Sequence, residues 1–122
     1  DEHFKTWEAV FAGIRDSIDV VAFQDGHVHY EQLEDFIRVN KSLADQNQIT
    51  SWINSETFDR DMPIKFLPIK WDKLRYKLET AAHAGISEAI TFEFSHFMSP
   101  QSAYPQAGHL YNRYVDYLKE KK

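Results

Sequence analysis

The chain has 122 residues, 43% of them hydrophobic and 15% aromatic, enough for one small domain with a core. Its 19 acids against 14 bases leave a formal charge of −5 and no basic stripe, which argues against nucleic acid as a partner. No apolar run approaches the roughly 18 residues of a membrane span, and with no cysteine there is no disulfide or zinc–thiolate site.

Phe4, Trp7, Val10, Phe11 and Ile14 recur at helical spacing and predict an amphipathic helix ending near Gly13 and Arg15, with Trp7 in the core. Ile18 to Phe23 is nearly all apolar, as suits a strand covered on both faces. Gln24-Asp25-Gly26 breaks it. Leu33, Phe36, Ile37, Leu43 and Ala44 predict a helix from near Tyr30 to a stop at Asn47. Ile49 to Ser55 reads as the second strand. Thr57 to Pro68 reads as a long loop holding Pro63, with Pro68 opening the next helix. That helix would bury Ile69, Trp71, Leu74, Leu78, Ala81 and Ala82 and end at Gly85. Ser87 to Phe94 is the third strand, and His96 to Gln106 a loop. Leu110, Tyr111, Tyr114, Val115 and Leu118 mark the last helix.

The order is α-βα-βα-βα, residues 1–122 forming one piece without an internal boundary. Right-handed crossovers make the three strands parallel and adjacent. Three such strands leave a sheet face and two edges open. The fold class expected is therefore α/β, the C-terminal three βα units of a (β/α)8 (TIM) barrel. Another chain, another copy or a further segment would complete it.

Asp25, Glu56 and Glu93 stand where each strand gives way to a loop, 31 and 37 residues apart. α/β folds place their chemistry at that rim, and sugar hydrolysis runs on carboxylates. Alternation puts Trp52, Asn54 and Glu56 on one face of the second strand and Ile53 and Ser55 on the other. In the third, Glu93 would point inward while Phe92 and Phe94 meet the helices. The competing reading makes these acids solvated rim charges or ordinary ion pairs. His27-Val28-His29 could hold a metal together with Glu93, although the pair sits in a loop rather than on a strand. Trp52, Phe58, Phe97 and Tyr104 could stack on sugar rings or simply fill the core.

Gln24-Asp25-Gly26, Trp52-Ile53-Asn54-Ser55-Glu56-Thr57-Phe58 and Phe92-Glu93-Phe94-Ser95-His96-Phe97-Met98-Ser99-Pro100 resemble, in order and spacing, a bacterial family of glycosidase-like (β/α)8 barrels of unknown function. The resemblance covers about Ile18 to Leu118 and implies that these are strands six, seven and eight. It places Glu56 where the broader glycosidase clan carries its nucleophile; that clan's acid/base lies on strand four, outside this sequence. Together with the strand-rim argument, this gives Glu56 and Glu93 as the expected catalytic carboxylates, and Gln24, Asp25, Trp52, Asn54, His96 and Tyr104 as expected sugar contacts. A carbohydrate ligand and no cofactor are expected; charge and apolar patterning argue against nucleic-acid or membrane partners, and the resemblance alone favours a periplasmic or extracellular location. A metal-dependent hydrolase using His27 and His29, or a non-catalytic carbohydrate-binding barrel, are the alternatives.

Overall fold

The computed structural model describes residues 2–61 and 65–122, so that Pro63 lies outside the described residues. The elements are α1 (Glu2–Ile14), β1 (Val20–Gln24), a single 3₁₀ turn (Tyr30–Gln32), α2 (Leu33–Gln46), β2 (Thr50–Glu56), β3 (Phe58–Asp61), β4 (Lys65–Pro68), α3 (Trp71–His83), β5 (Ala89–Phe92), α4 (Phe94–Phe97) and α5 (Pro105–Glu120). The architecture is α/β, with a parallel three-stranded sheet in the order β1-β2-β5. β1 and β2 run in register from Val20 opposite Thr50 to Gln24 opposite Asn54. The Ile53 amide donates to Glu88 O and the Thr57 amide to Phe92 O. The offset in sequence is the same for both bonds, as parallel strands require.

Two stretches depart from the expectation. Thr57 to Pro68 is not a loop but an antiparallel hairpin, β3 against β4, with Phe58 opposite Pro68 and Arg60 opposite Phe66. Pro68 closes β4 instead of opening a helix, and α3 begins only at Trp71. A proline at the end of a short two-stranded ribbon removes no interior ladder bond. The third strand ends at Phe92, because Glu93 caps the four-residue helix α4. Phe94 therefore starts a helix, and the alternation read through it does not apply.

Two compact units divide the chain: Asp1–Asn54 with Glu79–Ile90, and Ser55–Leu78 with Thr91–Lys122. In the first, Leu33 and Ile37 of α2, Ile53 of β2, and Ala81 and Ile86 form one buried cluster. Phe11, Leu43, Ala44 and Ile49 form another, flanked by Phe4, Ile18, Val21 and Phe23. Burying each large aliphatic side chain contributes about 1.5–3 kcal/mol. Asn47 ends α2 as expected: its Nδ2 donates to Leu43 O at 2.9 Å, using a carbonyl the helix leaves over. Gly85 follows α3 at φ +87°, a conformation that favours glycine. Trp7, by contrast, is not a core residue; with Val10 and Ile14 it lies exposed on α1. The helix has two apolar sides, and only the one carrying Phe4 and Phe11 packs inward.

In the second unit, Ile69, Leu74, Leu78, Met98 and Leu110 form the core. Trp71, Tyr111, Tyr114 and Tyr117 close it, and the Trp71 and Tyr117 rings meet edge-on at 5.5 Å.

Candidate functional site

The second unit gathers most of the chemistry. Glu56 ends β2 and is 2% exposed. A bend at Thr57 turns the chain into the hairpin and brings Arg60 back over it. Arg60 Nη1 donates to Glu56 Oε2 at 2.6 Å and Nη2 to Oε1 at 2.9 Å. This is the two-point geometry in which a planar guanidinium binds a carboxylate most strongly. The guanidinium also lies 5.4 Å from the Phe58 ring centroid and 5.7 Å from that of Phe66. Buried Lys77 of α3 donates to the Glu56 carbonyl at 3.2 Å. Lys73 pairs with Asp59 at 2.7 Å.

Thr57 is fully buried and ties the strand ends together. Its amide donates to Phe92 O, its hydroxyl to Glu93 O at 2.9 Å, and its carbonyl accepts from the Ile69 amide. Glu93 follows a cis peptide bond after Phe92. Its Oε1 accepts from the His96 amide at 2.8 Å and contacts His96 Nδ1 at 2.6 Å. The carboxylate thereby caps α4, while the His96 ring stays largely exposed.

Phe58 is the hub of an aromatic cluster. Its ring centroid is 4.8 Å from Phe97, 5.0 Å from Phe66 and 6.4 Å from Phe92. Phe97 in turn stacks on Tyr104 at 5.8 Å. Phe92 therefore meets the hairpin's Phe58, and Phe94 meets Tyr111 of α5. Both phenylalanines stay substantially exposed, against the expectation that they sink beneath helices. Ser102 Oγ donates to His96 O and accepts from the Tyr104 amide, which shapes the turn leading into α5.

The first unit holds the other strand-end residues. The Asp25 amide donates to Asn54 O at 3.2 Å, extending the β1–β2 ladder by one bond, and Asp25 itself is buried. Gln24 is exposed, and Trp52 and Asn54 are half-buried. Asn54 Oδ1 is shielded from solvent and has no hydrogen-bond partner among the described residues. His27 and His29 are exposed in the turn before the 3₁₀ segment. Among the described residues no group of three His, Cys, Asp or Glu side chains is arranged to hold a metal ion.

Glu56 and Arg60 can act together as a charge-balanced clamp. The two bonds fix the orientation of the Glu56 carboxylate at the strand end. Arg60, Thr57 and Lys77 were not visible as site residues in the sequence. The signal for Arg60 was its place in an alternating stretch, Phe58-Asp59-Arg60, which reads as a strand once Lys65-Phe66-Leu67 is seen to pair with it.

No curated protein matches the chain. Among solved structures it is similar to the crystal structure of a "putative alpha-L-fucosidase" from Bacteroides thetaiotaomicron VPI-5482, with 62% sequence identity and a TM-score of 0.89. The match covers 96% of this chain and 36% of that one, so the chain spans little more than a third of that protein's length. A family model described as a domain of unknown function matches residues 1–104, and the chain belongs to that family, DUF4434.

Proposed function

We propose that this chain is part of a glycoside hydrolase-like protein, and that Glu56 is the carboxylate through which it acts on a glycan. The observation that carries this reading is the burial of Glu56 at a strand's C-terminal end, aligned from two points by Arg60. The likeness to the Bacteroides protein supports it and makes an α-L-fucoside the first substrate to try. On this reading the three parallel strands belong to a (β/α)8 barrel. Glu93 holds its place through His96, and His96 and Tyr104 offer polar and stacking contacts to sugar. Gln24, Asp25, Trp52 and Asn54 are further sugar contacts on the strength of their strand-end positions alone. A non-catalytic carbohydrate-binding role is the second reading. It is favoured by the engagement of both Glu56 oxygens with Arg60 and of Glu93 Oε1 with His96.

The test measures release of 4-nitrophenol from 4-nitrophenyl α-L-fucoside by the longer protein that carries this chain, alongside calorimetric binding of fucosylated oligosaccharides. Glu56→Gln is expected to lower kcat at least ~100-fold with little change in affinity, since only interactions stronger in the transition state accelerate chemistry. Wild-type turnover in Glu56→Gln would remove Glu56 from the chemistry. Binding without hydrolysis, lost in Phe97→Ala or Tyr104→Ala, would establish the second reading.

A further inference from the structure

We propose that the β3–β4 hairpin gives the Glu56 site a second stacking position, centred on Phe66, so that the site takes an oligosaccharide rather than a single terminal sugar. The inference rests on the glycan reading of Glu56 and deepens it by naming the substrate class.

Four aromatic rings of the second unit touch in succession. Phe66 and Phe58 lie 5.0 Å apart, Phe58 and Phe97 4.8 Å, and Phe97 and Tyr104 5.8 Å, centroid to centroid. Phe58, within the succession, is 8% exposed, so it offers little surface to a ligand and backs its neighbours instead. The accessible rings stand at the two ends. Phe97 and Tyr104 are half-buried at one, and Phe66 is 43% exposed at the other. With Phe58 buried between them, the two ends are separate stacking surfaces. A contiguous aromatic patch of this kind marks a binding surface more often than a lone exposed ring does.

Phe66 is linked to the Glu56 carboxylate through one cation. It lies opposite Arg60 across the hairpin. The Arg60 guanidinium is 5.7 Å from the Phe66 centroid and 5.4 Å from that of Phe58, and the same guanidinium bonds both Glu56 oxygens. A ligand engaged at Glu56 therefore has the Phe66 ring as a near neighbour. Contacts with Phe58 and Arg60 already hold that ring in place, so stacking on it costs little side-chain entropy.

The chemistry selects the occupant. An apolar ring beside a hydrogen-bonding charge suits a ligand with both kinds of surface. A pyranose has an apolar C–H face to lay on Phe66 and hydroxyls at its edge to meet the charged pair. An apolar peptide segment laid here would strip water from the partly exposed Arg60 and give no hydrogen bond back, which disfavours it. Stacking at Phe66 makes the sugar next to the one at Glu56 a determinant of specificity.

The test uses the longer protein that carries this chain and two substrates. α-L-Fucosyl fluoride has one sugar; 2′-fucosyllactose has two more beyond the fucosyl bond. Phe66→Ala is expected to lower kcat/KM for the trisaccharide at least ~10-fold more than for the fluoride. Calorimetry in the Glu56→Gln background should show the trisaccharide bound at least ~10-fold more weakly when Phe66 is alanine, whether or not the protein is a hydrolase. Phe66→Leu keeps apolar bulk against Phe58 but has no flat face, and should fall as alanine does. Phe66→Tyr keeps the face and should stay within about two-fold of wild type. Equal losses on the two substrates, or wild-type behaviour in Phe66→Leu, would overturn the inference and leave the glycan reading standing, with Phe66 only packing the hairpin. A wild-type protein that neither cleaves nor binds either compound would overturn the glycan reading and this inference with it.

Discussion

Arg60→Ala tests whether the Glu56 clamp holds the second unit together. The substitution strips two charge-assisted hydrogen bonds from a carboxylate whose side chain is 3% exposed. Removing one partner of a fully buried ion pair costs about 3–5 kcal/mol. Arg60 is itself 32% exposed, so water reaches part of the pair and the expected loss falls to roughly 2–3 kcal/mol. For a chain of 122 residues each kcal/mol moves Tm by about 4 °C, giving a drop of roughly 8–12 °C. Glu56→Gln should cost less, about 1 kcal/mol, because the guanidinium left behind can turn to solvent. Arg60→Met with Glu56→Leu should recover most of the loss, since an apolar pair of similar volume often replaces a buried ion pair at little cost. Urea titration followed by circular dichroism on wild type, Arg60→Ala, Glu56→Gln and the double variant Arg60→Ala/Glu56→Gln gives the coupling energy through a double-mutant cycle. A loss below about 0.5 kcal/mol in Arg60→Ala, or a coupling near zero, would refute the claim that this pair is what makes the burial of Glu56 tolerable.

Two further changes probe the neighbouring devices. Glu93→Ala removes the carboxylate that caps α4 and should cost about 0.5–2 kcal/mol, with faster amide exchange at His96 and Phe97. Glu93→Gln keeps an oxygen in place and should restore most of that protection; equal exchange in all three proteins would show that the cap carries no weight. Gly85→Ala forces a side chain into φ +87° and sets its Cβ 3.3 Å from Lys41 Cε. The lysine end can move aside, so backbone strain dominates, and the expected cost is about 1–2 kcal/mol, read as a lower urea midpoint. An unchanged midpoint would mean that the turn after α3 relaxes freely.

Much of the fold was legible because it is written in local periodicity. The apolar run around Val20–Phe23, the 3.6-residue spacing of Leu33, Ile37 and Ala44, and the stop at Asn47 each depend on residues a few positions apart. The second-strand alternation was equally readable, with Ile53 buried among α2 and α3 side chains as its place in the pattern requires. The hairpin was not readable in this way. Two four-residue strands are too short for a strong alternation signal, and their pairing through Phe58 and Phe66 is a ring contact between separate segments.

The sequence by itself determined the order of helices and parallel strands and the placement of Glu56 and Glu93 at strand ends, because those follow from hydrophobic period and chain direction. Only the tertiary structure decided what each carboxylate does. Glu56 met Arg60 because the chain bends at Thr57, and Glu93 turned to the His96 amide because its strand stops one residue earlier. Only the tertiary structure, too, left Trp7 exposed on α1. Helical spacing places a side chain on a face, but burial depends on what packs against that face, and Phe4 and Phe11 occupy the side turned to the core.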